Sequence, residues 1–180
     1  MKGIVVTNHI IPTSEEIVIQ ENDLIVSKTN LKGDISYCNK KFLEVSGYSE
    51  GELIDHNHII IRHPDTPHSI YRFMWNTIQK EQEFFSVVKN LAKSGAYYWT
   101  FVSTSPSYDQ AGHLMGYYFV RRQASLKSIE ILEPLYQQML AEEAQHTNEQ
   151  HAMDASIALL DAVVAQHGLN YMEFIYSHAH

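Results

Sequence analysis

Apolar side chains in the first two thirds of the chain come in short runs broken by turn residues. DLIVSKTN (residues 23–30) and ISYCN (35–39) predict strands, and LKGD between them, with Gly33 free to take a positive φ, predicts a hairpin. NKKFLEVSGY predicts a short helix carrying Phe42, Leu43 and Val45 and ended by Gly47, after which Ser49 is placed to N-cap another turn at SEGEL. Pro67 stands at the first position of the next helix, where its missing N–H costs nothing. Ile70, Met74 and Ile78 then make one stripe, with Trp75 beside it. EFFSVVKNLA, GAYYWTFVSTSPSY and HLMGYYFVRR predict three more strands, joined by the hairpin loops KSG and DQAG. Two strands, short helices and three strands describe an α+β domain: a five-stranded antiparallel sheet with helices on one face and a hollow between the layers.

The spacing changes near residue 123. Beyond it glycine nearly vanishes and Ala, Glu, Gln, Leu and His take over with helical periodicity, which divides the chain into an N-terminal cap segment (1–22), a compact domain (23–122) and a C-terminal helical extension (123–180). Ile129, Leu132, Tyr136 and Met139 form one stripe, with Pro134 kinking or restarting its helix. Met153, Ile157, Leu160 and Val164 form a second, closed by Gly168, and Asn170 is placed to cap a last helix with Tyr171, Phe174 and Ile175. Such stripes must be buried, against the outer face of the sheet or against a dimer partner.

Composition narrows the function classes. With 180 residues, 44% of them hydrophobic, the chain has material for one good core and an appendage. A net charge of −8 without a Lys/Arg stripe excludes a nucleic-acid footprint. No apolar run reaches the roughly eighteen residues of a membrane span, and the N-terminal apolar patch is shorter than a secretory core; the expectation is a cytoplasmic chain without membrane insertion. A lone cysteine, Cys38, excludes an internal disulfide and a multi-thiolate metal site, so redox chemistry would have to come from a cofactor. The histidines are poorly spaced for a metal. Glu143 and His146 stand at i, i+3 once, where a di-iron bundle needs that motif twice, and His178 and His180 sit in a terminal tail. No nucleophile–base set and no glycine-rich phosphate loop occur, so no enzyme is expected.

The chemistry concentrates at IIIRHPDTP (59–67), where three isoleucines meet a permanent cation, a titratable ring and a carboxylate. Ile59–Ile61 suit the wall of a pocket, with Arg62 and His63 at its lip facing the polar part of a ligand. Asp65 has two readings, as a partner holding Arg62 or His63, or as a cap for the helix after Pro67. Asn90 is a polar residue in an otherwise apolar strand; its amide can donate or accept, or it can simply lead into the following turn. Asn39 likewise suits either a ligand or the N-cap of the NKKFLEV helix. Tyr98 and Trp99 alternate, so only one of them faces the hollow.

LKGDISYCNKKFLEVSGYSEGEL, IIIRHPDTP, FMWNTI, SVVKN, KSGAYYW and GYYFVRR, in that order, resemble the PAS sensory domains of the aerotaxis-receptor type, over roughly residues 20–122. The resemblance implies a PAS fold, non-covalently bound FAD, and a report of redox or oxygen status. It implies cofactor-binding roles for Asn39, Arg62, His63, Asp65, Trp75 and Asn90; beside these, Phe84, and whichever of Tyr98 and Trp99 faces inward, are candidate ring contacts. Phe84 stands where the family usually has tryptophan, which removes stacking area and the indole donor. In receptors of this type the signal passes onward to membrane and methyl-accepting segments, so output here would go to a homodimer mate or to a separate signalling protein. Two alternatives stay open: a cofactor-free PAS module for dimerisation or partner docking, and a haem sensor ligated through His58, His63 or His68. A blue-light adduct is excluded, because His58 occupies the position of the reactive cysteine.

Overall fold

The computed structural model describes residues 10–178; residues 1–9 of the cap segment, and His180 of the tail, lie outside the described residues. The strands are β1 (Ile25–Asn30), β2 (Ile35–Cys38), β3 (Phe84–Leu91), β4 (Tyr97–Tyr108) and β5 (Leu114–Gln123). They form one antiparallel sheet in the order β2-β1-β5-β4-β3, each strand falling where the sequence predicts it. This is the α+β architecture that the sequence predicts. Between β2 and β3 run α1 (Lys40–Ser46), α2 (Glu50–Leu53), a 3₁₀ turn (His58–Ile61) and α3 (His68–Ile78). Ser49 and Glu52 close a capping box at α2, and Pro67 is the N-cap of α3, one position before the predicted first turn.

Period-two alternation decides which residues look inward. Ser86, Val88 and Asn90 of β3, Val102 and Thr104 of β4, and Phe119 and Arg121 of β5 share the helix side, whereas Trp99 and Phe101 share the other. Gly33 takes φ 87° in the β1–β2 hairpin, and a Cβ there would lie 2.9 Å from the Trp75 ring, so that turn seats the indole on α3. Residues 13–17 run beside the start of β4, with the Thr13 and Ile17 N–H groups each donating at 2.8 Å to the carbonyls of Gly95 and Tyr97.

The extension comprises α4 (Leu126–Glu143), α5 (Glu149–Gln166) and α6 (Tyr171–His178). Its helices fold back over α3 and the free edge of β3, so that Leu132, Tyr136, Met139, Leu160, Val164, Tyr171 and Phe174 join the same core as Ile70, Met74 and Ile78. The predicted stripes therefore bury against their own domain. On α5 the buried line is Ala152, Ser156, Leu160 and Val164, with Met153 and Ile157 half-buried at its flank. The displacement has a physical reason, since the small Ser156 allows close approach to α3 and its hydroxyl meets that of Ser69 at 2.8 Å. α4 continues through Pro134 as one helix. No helix of the described residues is long and apolar enough to cross a membrane.

The free edge of β3 carries a single backbone bridge, from Arg62 to Asn90, and is otherwise closed by side chains instead of a sixth strand. Thr66 Oγ1 accepts from the Lys89 N–H at 3.1 Å and donates to the Lys89 carbonyl at 3.0 Å; Tyr136 on α4 donates to the Val87 carbonyl at 2.6 Å. These hydroxyls occupy backbone groups that would otherwise template pairing with another chain.

Candidate ligand-binding site

A hollow lies between the inner sheet face and the segment from the 3₁₀ turn through α3. Its walls are Ile61, Ile70, Met74, Val88, Val102, Phe84 and Phe119, and its polar lining is His58, Arg62, Tyr71, Ser86, Asn90 and Arg121, with Trp75 at the side. Gaps between the lining atoms, mouth included, total about 500 Å³, but the open void at their centre is only about 30 Å³. That is room for about one water, whereas pockets for organic ligands run to roughly 300 Å³ and above. A three-ring guest therefore requires the half-buried side chains Arg62, Tyr71 and Trp75 to move outward.

The polar groups of the hollow are donors in excess of acceptors. Arg121 is 2% exposed; its guanidinium donates to Ser27 Oγ at 3.2 Å and to His58 Nε2 at 2.6 Å. Arg62 lies flat over the Tyr71 ring, 4.0 Å from the centroid. Among the described residues neither guanidinium has a carboxylate within 4.0 Å. The Tyr71 hydroxyl lies near Thr66 without closing a hydrogen bond to it and has no partner. Burial draws Arg121 down from the ordinary 12.5 to about 10, and burial, then Arg121, then Arg62 hold His58 well below its ordinary 6.5. His58 is thus neutral. It presents Nε2 as an acceptor to Arg121 and stacks its ring on Phe119, with centroids 4.6 Å apart. Two cations without a counter-ion, a free phenol and the Asn90 amide fit an acceptor-rich or anionic guest such as a flavin ring system.

Of the residues singled out from the sequence, Arg62, Trp75, Phe84 and Asn90 meet at this hollow. Asn39 does not reach it: its Oδ1 accepts from Phe42 N–H and Val26 N–H and its Nδ2 donates to the Leu24 carbonyl, so it caps α1 and ties it to β1. His63 and Asp65 are also turned away. The extended segment after Arg62 alternates sides, and the Asp65 carboxylate meets Lys89 Nζ at 2.7 Å, with His63 Nδ1 at 3.6 Å, on the far side of β3 from the hollow. Asp65 therefore neither holds Arg62 nor caps α3. That cap comes from 75 residues along the chain, where the Glu143 carboxylate accepts from the His68 and Ser69 N–H groups at 3.2 and 3.0 Å. Tyr98 is fully buried on the inner side, packed with Phe42 and Ile61 beyond the hollow, and its hydroxyl has no partner. Asn90 Nδ2 donates to Thr100 Oγ1 at 3.0 Å. His146 pairs with Glu142, and no group of three or more His, Cys, Asp or Glu side chains stands in metal-binding geometry among the described residues.

Arg121, Tyr71 and Ser86 are polar lining residues that the motif-led reading passes over as ligand contacts, while His58, named there only as a candidate haem ligand, also lines the hollow. Alternation along HLMGYYFVRR puts Arg121 on the face of Phe119, and one helical turn separates Tyr71 from Trp75, so both were within reach of periodicity.

Residues 35–120 match the family described as the PAS fold. The chain is 32% identical over 135 residues to the aerotaxis receptor of Escherichia coli (strain K12), covering 75% of this chain and 26% of that one. To a nitrogen fixation regulatory protein of Klebsiella pneumoniae it is 27% identical over 109 residues, 61% of this chain and 22% of that one. It spans about a quarter of the length of these curated relatives. Among solved structures, the light state of the blue-light photoreceptor Aureochrome1 LOV superposes with a TM-score of 0.53 at 19% identity, over 62% of this chain and 88% of that one. A PAS domain from Colwellia psychrerythraea gives 0.51 at 20%, over 56% and 85%.

Proposed function

Because residues 35–120 belong to the PAS fold family, and the chain resembles its aerotaxis-receptor branch, we propose that this is a sensory domain whose hollow binds FAD and reports redox or oxygen status through the C-terminal helices. The observation that carries the reading is the pair of guanidiniums, Arg62 and Arg121, facing one hollow with no carboxylate to neutralise them. A bound flavin supplies a two-electron redox centre with a nitrogen that accepts a hydrogen bond when oxidised and donates one when reduced. Around it, Arg62 and Arg121 supply donors to carbonyl edges, Phe84, Phe119 and Trp75 supply apolar walls, and Asn90 supplies an amide able to accept or donate. His63 and Asp65 act one step removed, by fixing Lys89 and the course of the chain that delivers Arg62. Output passes to a homodimer mate or a downstream signalling protein.

The small void favours a second reading, a cofactor-free PAS module for dimerisation or docking. Purified protein should be yellow, release FAD on denaturation, and lose colour or redox response in Asn90→Ala. Protein that stays colourless and leaves flavin fluorescence unchanged on titration with FAD sinks the flavin reading in favour of the second.

A further inference from the structure

Ser86 lines the hollow from β3, yet its hydroxyl is engaged by the extension. The Tyr171 hydroxyl on α6 donates to Ser86 Oγ at 3.0 Å, and the Tyr136 hydroxyl on α4 stands 3.4 Å from the same oxygen. Tyr136 has one proton, and it is committed to the Val87 carbonyl at 2.6 Å. The chain of hydroxyls therefore has a single direction: Tyr171 to Ser86, Ser86 to Tyr136, Tyr136 to the β3 backbone. Its weakest link is the 3.4 Å contact, longer than an ordinary O–H···O bond. The Phe84 ring, another wall of the hollow, stacks on Tyr171 with centroids 5.5 Å apart, so α6 touches that wall twice.

We propose that Ser86 couples the content of the hollow to the C-terminal helices. A guest atom that accepts from Ser86 turns its proton away from Tyr136 and loosens α4 from β3, while Tyr171 keeps its bond to Ser86; a guest atom that donates to Ser86 leaves the chain of hydroxyls intact. This rests on the hollow being a ligand site, and with FAD as guest it makes the fit of α4 depend on redox state. Tyr136 and Tyr171 are positioning residues in this scheme; neither lines the hollow.

The full chain, loaded with FAD, is compared by hydrogen exchange in the oxidised and dithionite-reduced states, with flavin fluorescence quenching recording binding. In the wild type, exchange of the α4 amides should differ between the states by roughly fivefold, the equivalent of one neutral hydrogen bond. Tyr136→Phe should bind FAD and lose that difference, whereas Tyr171→Phe, which leaves the Ser86–Tyr136 contact in place, should bind FAD and keep it. FAD bound by Tyr136→Phe with the wild-type difference retained, or by Tyr171→Phe with it lost, overturns the coupling alone. A wild type that gives no quenching overturns the ligand reading and the coupling with it.

Discussion

Replacing Arg121 with methionine should move stability and affinity in opposite directions. The guanidinium is 2% exposed and its ionisation is drawn from 12.5 down to about 10. At about 1.4 kcal/mol per pH unit, that makes the charged form roughly 3 kcal/mol costlier in the folded chain than in the unfolded one. The unfolded state holds this proton more firmly, so the cost is fully present below about pH 10 and fades as pH rises toward 12.5. Methionine keeps most of the volume and removes the charge. Ser27 Oγ and His58 Nε2 lie 3.2 Å apart and bond each other in its absence, so little is orphaned. Ligand-free Arg121→Met should therefore gain about 1–3 kcal/mol in urea denaturation at neutral pH, a midpoint rise of about 0.5–1.5 M for a slope of about 2 kcal/mol per M. Affinity for FAD should fall about tenfold to a hundredfold, the worth of a hydrogen bond from a charged donor. A variant that is less stable and titrates with FAD like the wild type would show Arg121 to be structural, and the reasoning would be wrong.

The helix-capping carboxylate should behave differently: Glu143→Ala is expected to cost about 1–2 kcal/mol by losing the α3 cap, and Glu143→Gln less, with raised hydrogen exchange at His68 and Ser69 as the check. Because His58 stays neutral in the folded chain and takes up a proton near 6.5 when unfolded, stability present above that pH should be lost as pH falls, by up to about 1.4 kcal/mol per unit. His63, lowered chiefly by burial, adds to the slope, and denaturation across a pH series should find it shallower in His58→Asn. Gly116→Ala should be among the most damaging single changes, since its Cβ would fall 1.8 Å from the Thr29 carbonyl oxygen and force β1 from β5; a melting temperature near that of the wild type would contradict the pairing.

The strands, α1, α3 and their turns were legible because each rests on local rules: alternation, a stripe at i, i+4, i+8, and Gly33 and Gly47 where φ turns positive. The extension was legible as helices, and burial against the outer face of its own sheet was one of two open alternatives; its packing on α3 was not legible. Nothing within ten residues of Glu143 says that its carboxylate caps α3, and a stripe that buries Ala152 and Ser156 is weak in any count of apolar residues. At the site, the motif RHPD was read as a block, while its extended backbone sends Arg62 to the hollow and His63 and Asp65 to Lys89. Asn39 shows the opposite error of scale, because its polar atoms are consumed within fifteen residues, by Leu24, Val26 and Phe42.

The unpaired guanidiniums are not explained by a shortage of acids, for the chain carries 21 Asp and Glu against 13 Lys and Arg. Carboxylates are placed on Lys41, Arg72, Lys89 and Lys93, all outside the hollow, and kept from Arg62 and Arg121 within it. A fold selected for stability alone would have paired Arg121 or replaced it with an apolar residue. An acceptor-rich guest that hydrogen-bonds Arg121 offsets part of what the empty hollow forgoes, which makes the fit of β3, on which α4 and α6 rest, sensitive to what the hollow holds.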